Sequence, residues 1–395
     1  MSDSRATMYE PLAVALATEV QDWRRRGLER VLRAAWNRAG AEVETADGIA
    51  VDFSSNDYLG LSTDARVHSA MRAALDSGGI GATASRLIAG NHPEHEALEE
   101  ELARFFEAPA TLTFSTGFAA NTGTIPALVE RGDVIFADAL NHASLIDGCR
   151  LSRADVYVFR HSDMDDLRRL LQLHRGGARR AMIVSDGLFS MDGDCAELAA
   201  IIDLAREFDA WTYVDDAHAV GAIGVNGRGT AEYLGLHGHV DVTVGTLGKA
   251  FGVAGAFVYG AEVLRRHLMN RARSFVYSTA APPALAAAAR AAVRLVSLEP
   301  ERRARLESNA RRVRAAMRVA GSRVAFHIVP VIVGDPAETL RVAAMLRAAG
   351  VLVGAVRPPT VSHGSSRLRV SVSAAHTDAH IERLATALAE ARTRE

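Results

Sequence analysis

Lysine is all but missing from this sequence. Of its 45 basic residues 44 are arginine, and the single lysine is Lys249. Drift toward arginine follows from base composition, but it does not explain one exception. A guanidinium stays protonated and forms no imine, whereas a desolvated amine does. Cysteine is scarce as well. Cys149 and Cys195 have neither CxxC spacing nor an accompanying His pattern, which argues against a disulfide framework or a zinc site and suits a reducing cytoplasm. No charge sign dominates: 45 Lys plus Arg against 47 Asp plus Glu leave a formal net charge of -2. A polyanion-binding surface is therefore not indicated, and the cluster Arg24, Arg25, Arg26 is too short for a nucleic-acid arm. Long apolar runs are missing too. The mildly apolar stretch 11–20 is bounded by Glu10 and Glu19 with no basic start, unlike a signal peptide. The stretch 280–296 contains Pro282, Pro283, Arg290 and Arg294, which make it a poor membrane span.

What is present is a 395-residue chain, 49% hydrophobic, long enough for one large domain and a smaller one. From about residue 110, β-rich runs at 111–115, 134–137, 156–159, 181–185, 211–214, 241–245 and 255–259 alternate with helical runs such as 163–174 and 197–208. That alternation predicts an α/β fold, a parallel sheet covered by helices on both faces. Asp138, Ser185, Asp215 and Thr246 fall where strands end, the rim at which open α/β sheets bind ligands. A helical region at 283–320 precedes strands near 326–333, 352–355 and 368–372 and a last helix at 378–391. The expected division is an N-terminal helical segment 1–50, a large domain 51–290 and a small α+β domain 291–395.

Thr246-Leu-Gly-Lys249-Ala-Phe-Gly252 places the lysine on a small-residue turn after a buried strand. Desolvation and neighbouring positive charge there lower an amine's pKa and make it a nucleophile; an isolated Gly-Lys is more often a solvated surface group. Tyr213-Val-Asp215-Asp216-Ala-His218 offers Asp215 as partner for a protonated pyridine nitrogen and His218 as a donor to a ring oxygen, against the ordinary roles of helix cap and structural histidine. Phe114-Ser-Thr-Gly117-Phe118 leads a strand into a helix whose first N–H groups form a phosphate cradle, or simply a tight turn. In Asn141-His142-Ala-Ser144, His142 is placed to lie flat on an aromatic cofactor, or is a polar loop residue. Gly79-Ile-Gly81-Ala-Thr-Ala84 matches a dinucleotide fingerprint on paper, but a helical run at 65–75 precedes it where a strand is required.

Ser55-Asn-Asp-Tyr58-Leu-Gly-Leu61, Ser115-Thr-Gly-Phe118, Asn141-His142-Ala-Ser-Leu145, Phe189-Ser190-Met-Asp-Gly-Asp194, Val214-Asp-Asp-Ala-His218, Gly227-Arg-Gly229 and Gly245-Thr-Leu-Gly-Lys249 occur in this order. Together they resemble the α-oxoamine synthase family of fold-type-I pyridoxal-phosphate enzymes over nearly the whole chain. The resemblance implies a PLP-dependent transferase with a large domain around a mainly parallel seven-stranded sheet, a small C-terminal α+β domain, and a homodimer with active sites at its interface. It implies pyridoxal 5'-phosphate bound as an imine to Lys249, Asp215 at the pyridine nitrogen, His142 stacked on the ring, Ser190 and His218 at the cofactor and Thr246 near the phosphate. Ser278 and Thr279 would reach the neighbouring subunit's phosphate.

Within the family, Val356-Arg-Pro-Pro-Thr360-Val and Ser366-Arg-Leu-Arg369 resemble the branch that acts in biotin biosynthesis. The implied reaction is an acyl transfer joining L-alanine to a pimeloyl thioester on CoA or a carrier protein. Arg369 would hold the amino-acid carboxylate, as suits a bidentate guanidinium, and Arg30 and Thr360 would meet the acyl substrate. Two departures stand out: Ala219 and Val220 replace the usual Gly-Thr after the histidine, and Thr360-Val-Ser-His-Gly-Ser365 lacks a proline of that branch. Glycine or serine with another acyl-CoA, a non-catalytic partner subunit, and transamination are the competing readings.

Overall fold

The computed structural model describes residues 10–317 and 326–393. The chain divides into two units, one of residues 55–328 with 372–376, the other of residues 1–54, 329–371 and 377–395. Residues 318–320, the expected end of the helical region 283–320, lie outside the described residues, as do residues 1–9.

In the first unit a seven-stranded sheet runs in the order Ala110–Phe114, Ala256–Gly260, Val242–Thr246, Trp211–Asp215, Ala181–Asp186, Val134–Asp138, Asp155–Phe159. Ala256–Gly260 is antiparallel to both neighbours; the remaining pairs are parallel. Val134–Asp138 and Ala181–Asp186 are buried along their whole length, because helices cover both faces, and their near-continuous apolar sequence reflects it. Asp155–Phe159 exposes Val156 and Val158 because it is the edge. Each fully buried Leu, Ile or Val in this core stabilises the fold by roughly 1.5–3 kcal/mol.

All seven expected strands form. The boundary does not fall near 290. The alanine-rich helix Pro283–Leu298 packs on helices Ala65–Gly78 and Pro93–Phe105 of the same unit. The next helix, Pro300–Met317, is tied in by Asn309, whose Nδ2 donates to the carbonyls of Ser373 at 3.0 Å and His376 at 2.9 Å. The first unit therefore extends to residue 328.

The second unit also differs from expectation. After helix Glu10–Arg25, the segment expected to be helical forms strands Ala35–Ala39, Glu42–Thr45 and Gly48–Asp52, which Val351–Leu352 joins in parallel. Alternate burial along Glu42–Thr45 marks a one-sided strand. A three-stranded sheet, Ile328–Gly334, Ser366–Ser371 and Gly354–Val356, and helices Pro336–Ala348 and Asp378–Thr393 complete it. Among the described residues no helix is long and apolar enough to cross a membrane.

Candidate active site

Parallel strands end together, so their last residues share one rim. Asp138, Asp186, Asp215 and Thr246 are the terminal residues of four adjacent strands, and all four are buried. Asp186 and Asp215 are direct register partners. Burial, and then the negative charge of Asp215, push the Asp186 carboxyl well above the usual carboxylate range.

Asp215 is met by two donors: Asn121 Nδ2 lies 2.6 Å from its Oδ2, and the Ala217 N–H donates to its Oδ1 at 3.0 Å. His142 caps the helix Ala143–Ser152 and accepts the Ser144 N–H on Nδ1 at 3.2 Å. Its own backbone N–H donates to Asp186 Oδ2 at 2.7 Å. Asn141 clamps the same loop to the sheet, donating to the Val184 carbonyl and accepting the Asp186 N–H, each at 2.9 Å. The protein packed about His142 lowers its pKa and so favours the neutral imidazole; Asp215 opposes this and the Lys249 charge adds to it. His142 as a whole residue is nevertheless exposed.

Lys249 is half-buried on the turn that follows Val242–Thr246. Thr246 Oγ1 donates to the Gly255 carbonyl at 3.0 Å and accepts the Gly248 N–H at 3.1 Å, bracing that turn. The Lys249 charge acts on both His142 and Asp186, which brings amine, imidazole and the paired carboxylates into one cluster.

The residues fit pyridoxal phosphate. Helix Gly117–Leu128 is capped by Thr116, whose side chain takes the Ala119 N–H and whose carbonyl takes that of Ala120. The N–H groups of Gly117 and Phe118 have no acceptor among the described residues, and the space beside the Gly117 Cα is open for 4 Å. Unpartnered N–H groups at a helix start are what a phosphate requires. The cluster of Lys249, Asp215 and His142 adds a primary amine, a carboxylate suited to a pyridinium and an imidazole.

His218 is buried, and its Nδ1 lies 2.7 Å from the Tyr58 hydroxyl, which itself donates to Asn56 Oδ1 at 3.0 Å. Ser190 sits on the tight loop closed by the Phe189 N–H to Asp194 carbonyl bond of 2.9 Å. His161 stands behind that loop, bonded to Asp138 and Asp194 at 2.9 Å each. Ser278 and Thr279 line a cavity of about 40 Å³ with Ser115, Leu247 and Gly255.

Arg30, Thr360 and Arg369 belong to the other unit. Arg30 donates to Thr360 Oγ1 at 3.2 Å, so these two expected acyl contacts are neighbours. Arg369 is buried on Ser366–Ser371 and donates to Ser371 Oγ at 2.7 Å. The supporting residues Asn121, Tyr213, Ser144, Asp186 and Tyr58 received no role from sequence. Tyr58, Tyr213 and Ser144 stand within quoted motifs without a role of their own, and Asn121 and Asp186 lie close by motif residues.

The profile of the family described as aminotransferase class I and II matches residues 49–388. The 8-amino-7-oxononanoate synthase of Anaeromyxobacter dehalogenans is 46% identical over 377 residues, 95% of this chain and 94% of that one. A serine palmitoyltransferase structure from S. paucimobilis with a bound PLP–myriocin aldimine superposes with a TM-score of 0.91 at 28% identity, covering 98% of both chains. An 8-amino-7-oxononanoate synthase structure from Francisella tularensis superposes with a TM-score of 0.75 at 28% identity, over 87% of this chain and 98% of that one.

Proposed function

The chain belongs to the aminotransferase class I and II family, and we propose that it is a pyridoxal-phosphate-dependent acyltransferase of biotin biosynthesis, condensing L-alanine with a pimeloyl thioester to 8-amino-7-oxononanoate, CO2 and free thiol. When bound, the cofactor supplies an aldehyde that captures primary amines and a pyridinium that withdraws electrons from the substrate's α-carbon.

Asp215 holds the proton on the pyridine nitrogen. The N–H groups of Gly117 and Phe118, with the Thr246 hydroxyl, hold the phosphate. His142, His218, positioned by Tyr58, and Ser190 would complete the pocket around the ring. Lys249 Nζ would anchor the cofactor at rest. With L-alanine in the site, Nζ would remove the α-proton and later return a proton to the same carbon. Arg369 holds the alanine carboxylate until it leaves as CO2, and Arg30 and Thr360 receive the acyl donor. A homodimer in which Ser278 and Thr279 serve the neighbouring phosphate, and a cytoplasmic location, belong to the same proposal. The donor is pimeloyl-CoA or a pimeloyl carrier protein.

One observation supports this reading above the others: the chain's sole lysine shares a cluster with Asp215 and His142. The likeness to serine palmitoyltransferase favours a second reading, serine with a longer acyl-CoA, against which stands the higher identity to an 8-amino-7-oxononanoate synthase. Purified protein mixed with each amino acid and each thioester, with mass-spectrometric detection, separates them. Thiol release and 8-amino-7-oxononanoate from L-alanine are expected; product only from serine or glycine would reject the proposal.

A further inference from the structure

We propose that Asn121 is a positioning residue that fixes two cofactor-facing groups at once, the Asp215 carboxylate and the His142 imidazole. The inference rests on the reading that both groups meet pyridoxal phosphate. Asn121 is fully buried in the second turn of helix Gly117–Leu128. Its Nδ2 lies 2.6 Å from Asp215 Oδ2 and 2.8 Å from Ser144 Oγ, and its Oδ1 accepts the Tyr213 hydroxyl at 2.8 Å. A primary amide has two N–H donors and one carbonyl, and here each has a partner.

These contacts settle which way the amide faces. Flipped, its carbonyl oxygen would be set against a carboxylate oxygen and its N–H groups against the Tyr213 hydroxyl. In the orientation observed, Ser144 Oγ accepts from Asn121 and donates onward to His142 Nδ1, 2.7 Å away. The Ser144 N–H reaches the same nitrogen at 3.2 Å. Nδ1 is thus the acceptor, and the proton of the neutral ring sits on Nε2.

The backbone is built to permit this contact. At Gly148 of helix Ala143–Ser152 an added Cβ would fall 2.9 Å from the Asn121 carbonyl oxygen, so only glycine lets the two helices come this close. Asn121 also stands on the helix whose first N–H groups await the phosphate. One rigid element therefore holds the phosphate, orients Asp215 and, through Ser144, selects the His142 tautomer. Buried polar networks of this kind are costly when one member is removed, because the others are left unpaired.

The test uses holoenzyme of the wild type, Asn121→Ala and Ser144→Ala, and reads the pyridoxal-phosphate dissociation constant, the visible circular dichroism of the bound cofactor, and kcat and KM for L-alanine. Asn121→Ala is expected to weaken cofactor binding about ten-fold or more and to alter the dichroism, whereas Ser144→Ala, which cuts only the His142 branch, should leave affinity within about three-fold. Ser144→Ala should still alter the dichroism and lower kcat more than it changes KM. Asn121→Ala with wild-type affinity and dichroism would overturn the proposal. Should Asn121→Ala fail to fold by far-ultraviolet dichroism, Ser144→Ala decides: unchanged dichroism and kcat overturn it. Wild-type protein that carries no cofactor would instead reject the proposed function.

Discussion

Asp186 and Asp215 end adjacent parallel strands in direct register, so two buried carboxylates share one edge of the sheet. Only one of them is needed at a pyridinium. The other, Asp186, is raised by burial and by its neighbour's charge, and it accepts the backbone N–H of His142.

Asp186→Asn keeps an acceptor for that N–H and removes the titration. A carboxyl raised in the folded state loses stability as pH climbs from its unfolded value, about 3.9, toward the folded one, since the unfolded chain releases its proton first. The melting temperature of Asp186→Asn relative to wild type should therefore rise between pH 4 and pH 7, by at least ~2 °C. Thermal unfolding at the two pH values measures it; a constant difference would contradict it.

His161 is shifted in the same direction, for a different reason. Burial alone favours its neutral ring, but hydrogen bonds to Asp138 and Asp194 outweigh this and raise it to about 10. The stabilisation is full below the unfolded value, about 6.5, and is lost as pH rises through the folded one. His161→Gln should be clearly less stable than wild type at pH 6, with the gap closing toward pH 10. A gap independent of pH in denaturant titrations would speak against the charged pairing.

Gly252 closes the turn that carries Lys249, its N–H bonded to the Lys249 carbonyl at 2.9 Å. It has φ +67°, and a Cβ there would lie 2.4 Å from the Ser62 nitrogen. Gly252→Ala should cost at least ~1–3 kcal/mol and reduce the cofactor bound to Lys249, both measurable on purified protein by denaturation and absorbance.

Arg369→Lys exchanges a planar two-pronged donor for a point charge. The KM for L-alanine should rise roughly ten-fold, with cofactor affinity unchanged. Steady-state kinetics with equilibrium cofactor binding checks both halves.

The sheet was legible in the sequence because buried parallel strands are short apolar runs ending in polar residues, as in 134–138 and 181–186. Lys249, Asp215, His142 and His218 could be picked out as candidates because each lies in a motif at or a few residues past the end of a strand. The strands at 35–52 were not: Glu42, Glu44 and Thr45 are polar, and one-sided strands of four or five residues leave little periodic signal. The domain boundary near 290 was misplaced because an alanine-rich helix gives no hint of which neighbour buries it. Asn121 and Asp186 went unassigned because their roles depend on partners 94 and 44 residues away, a proximity created only by the sheet.

A single lysine makes the central claim unusually easy to test. Borohydride reduction of active holoenzyme, followed by peptide mapping, should place one pyridoxyl group on Lys249 and abolish activity. Full cofactor content and activity with Lys249 unmodified after reduction would contradict it.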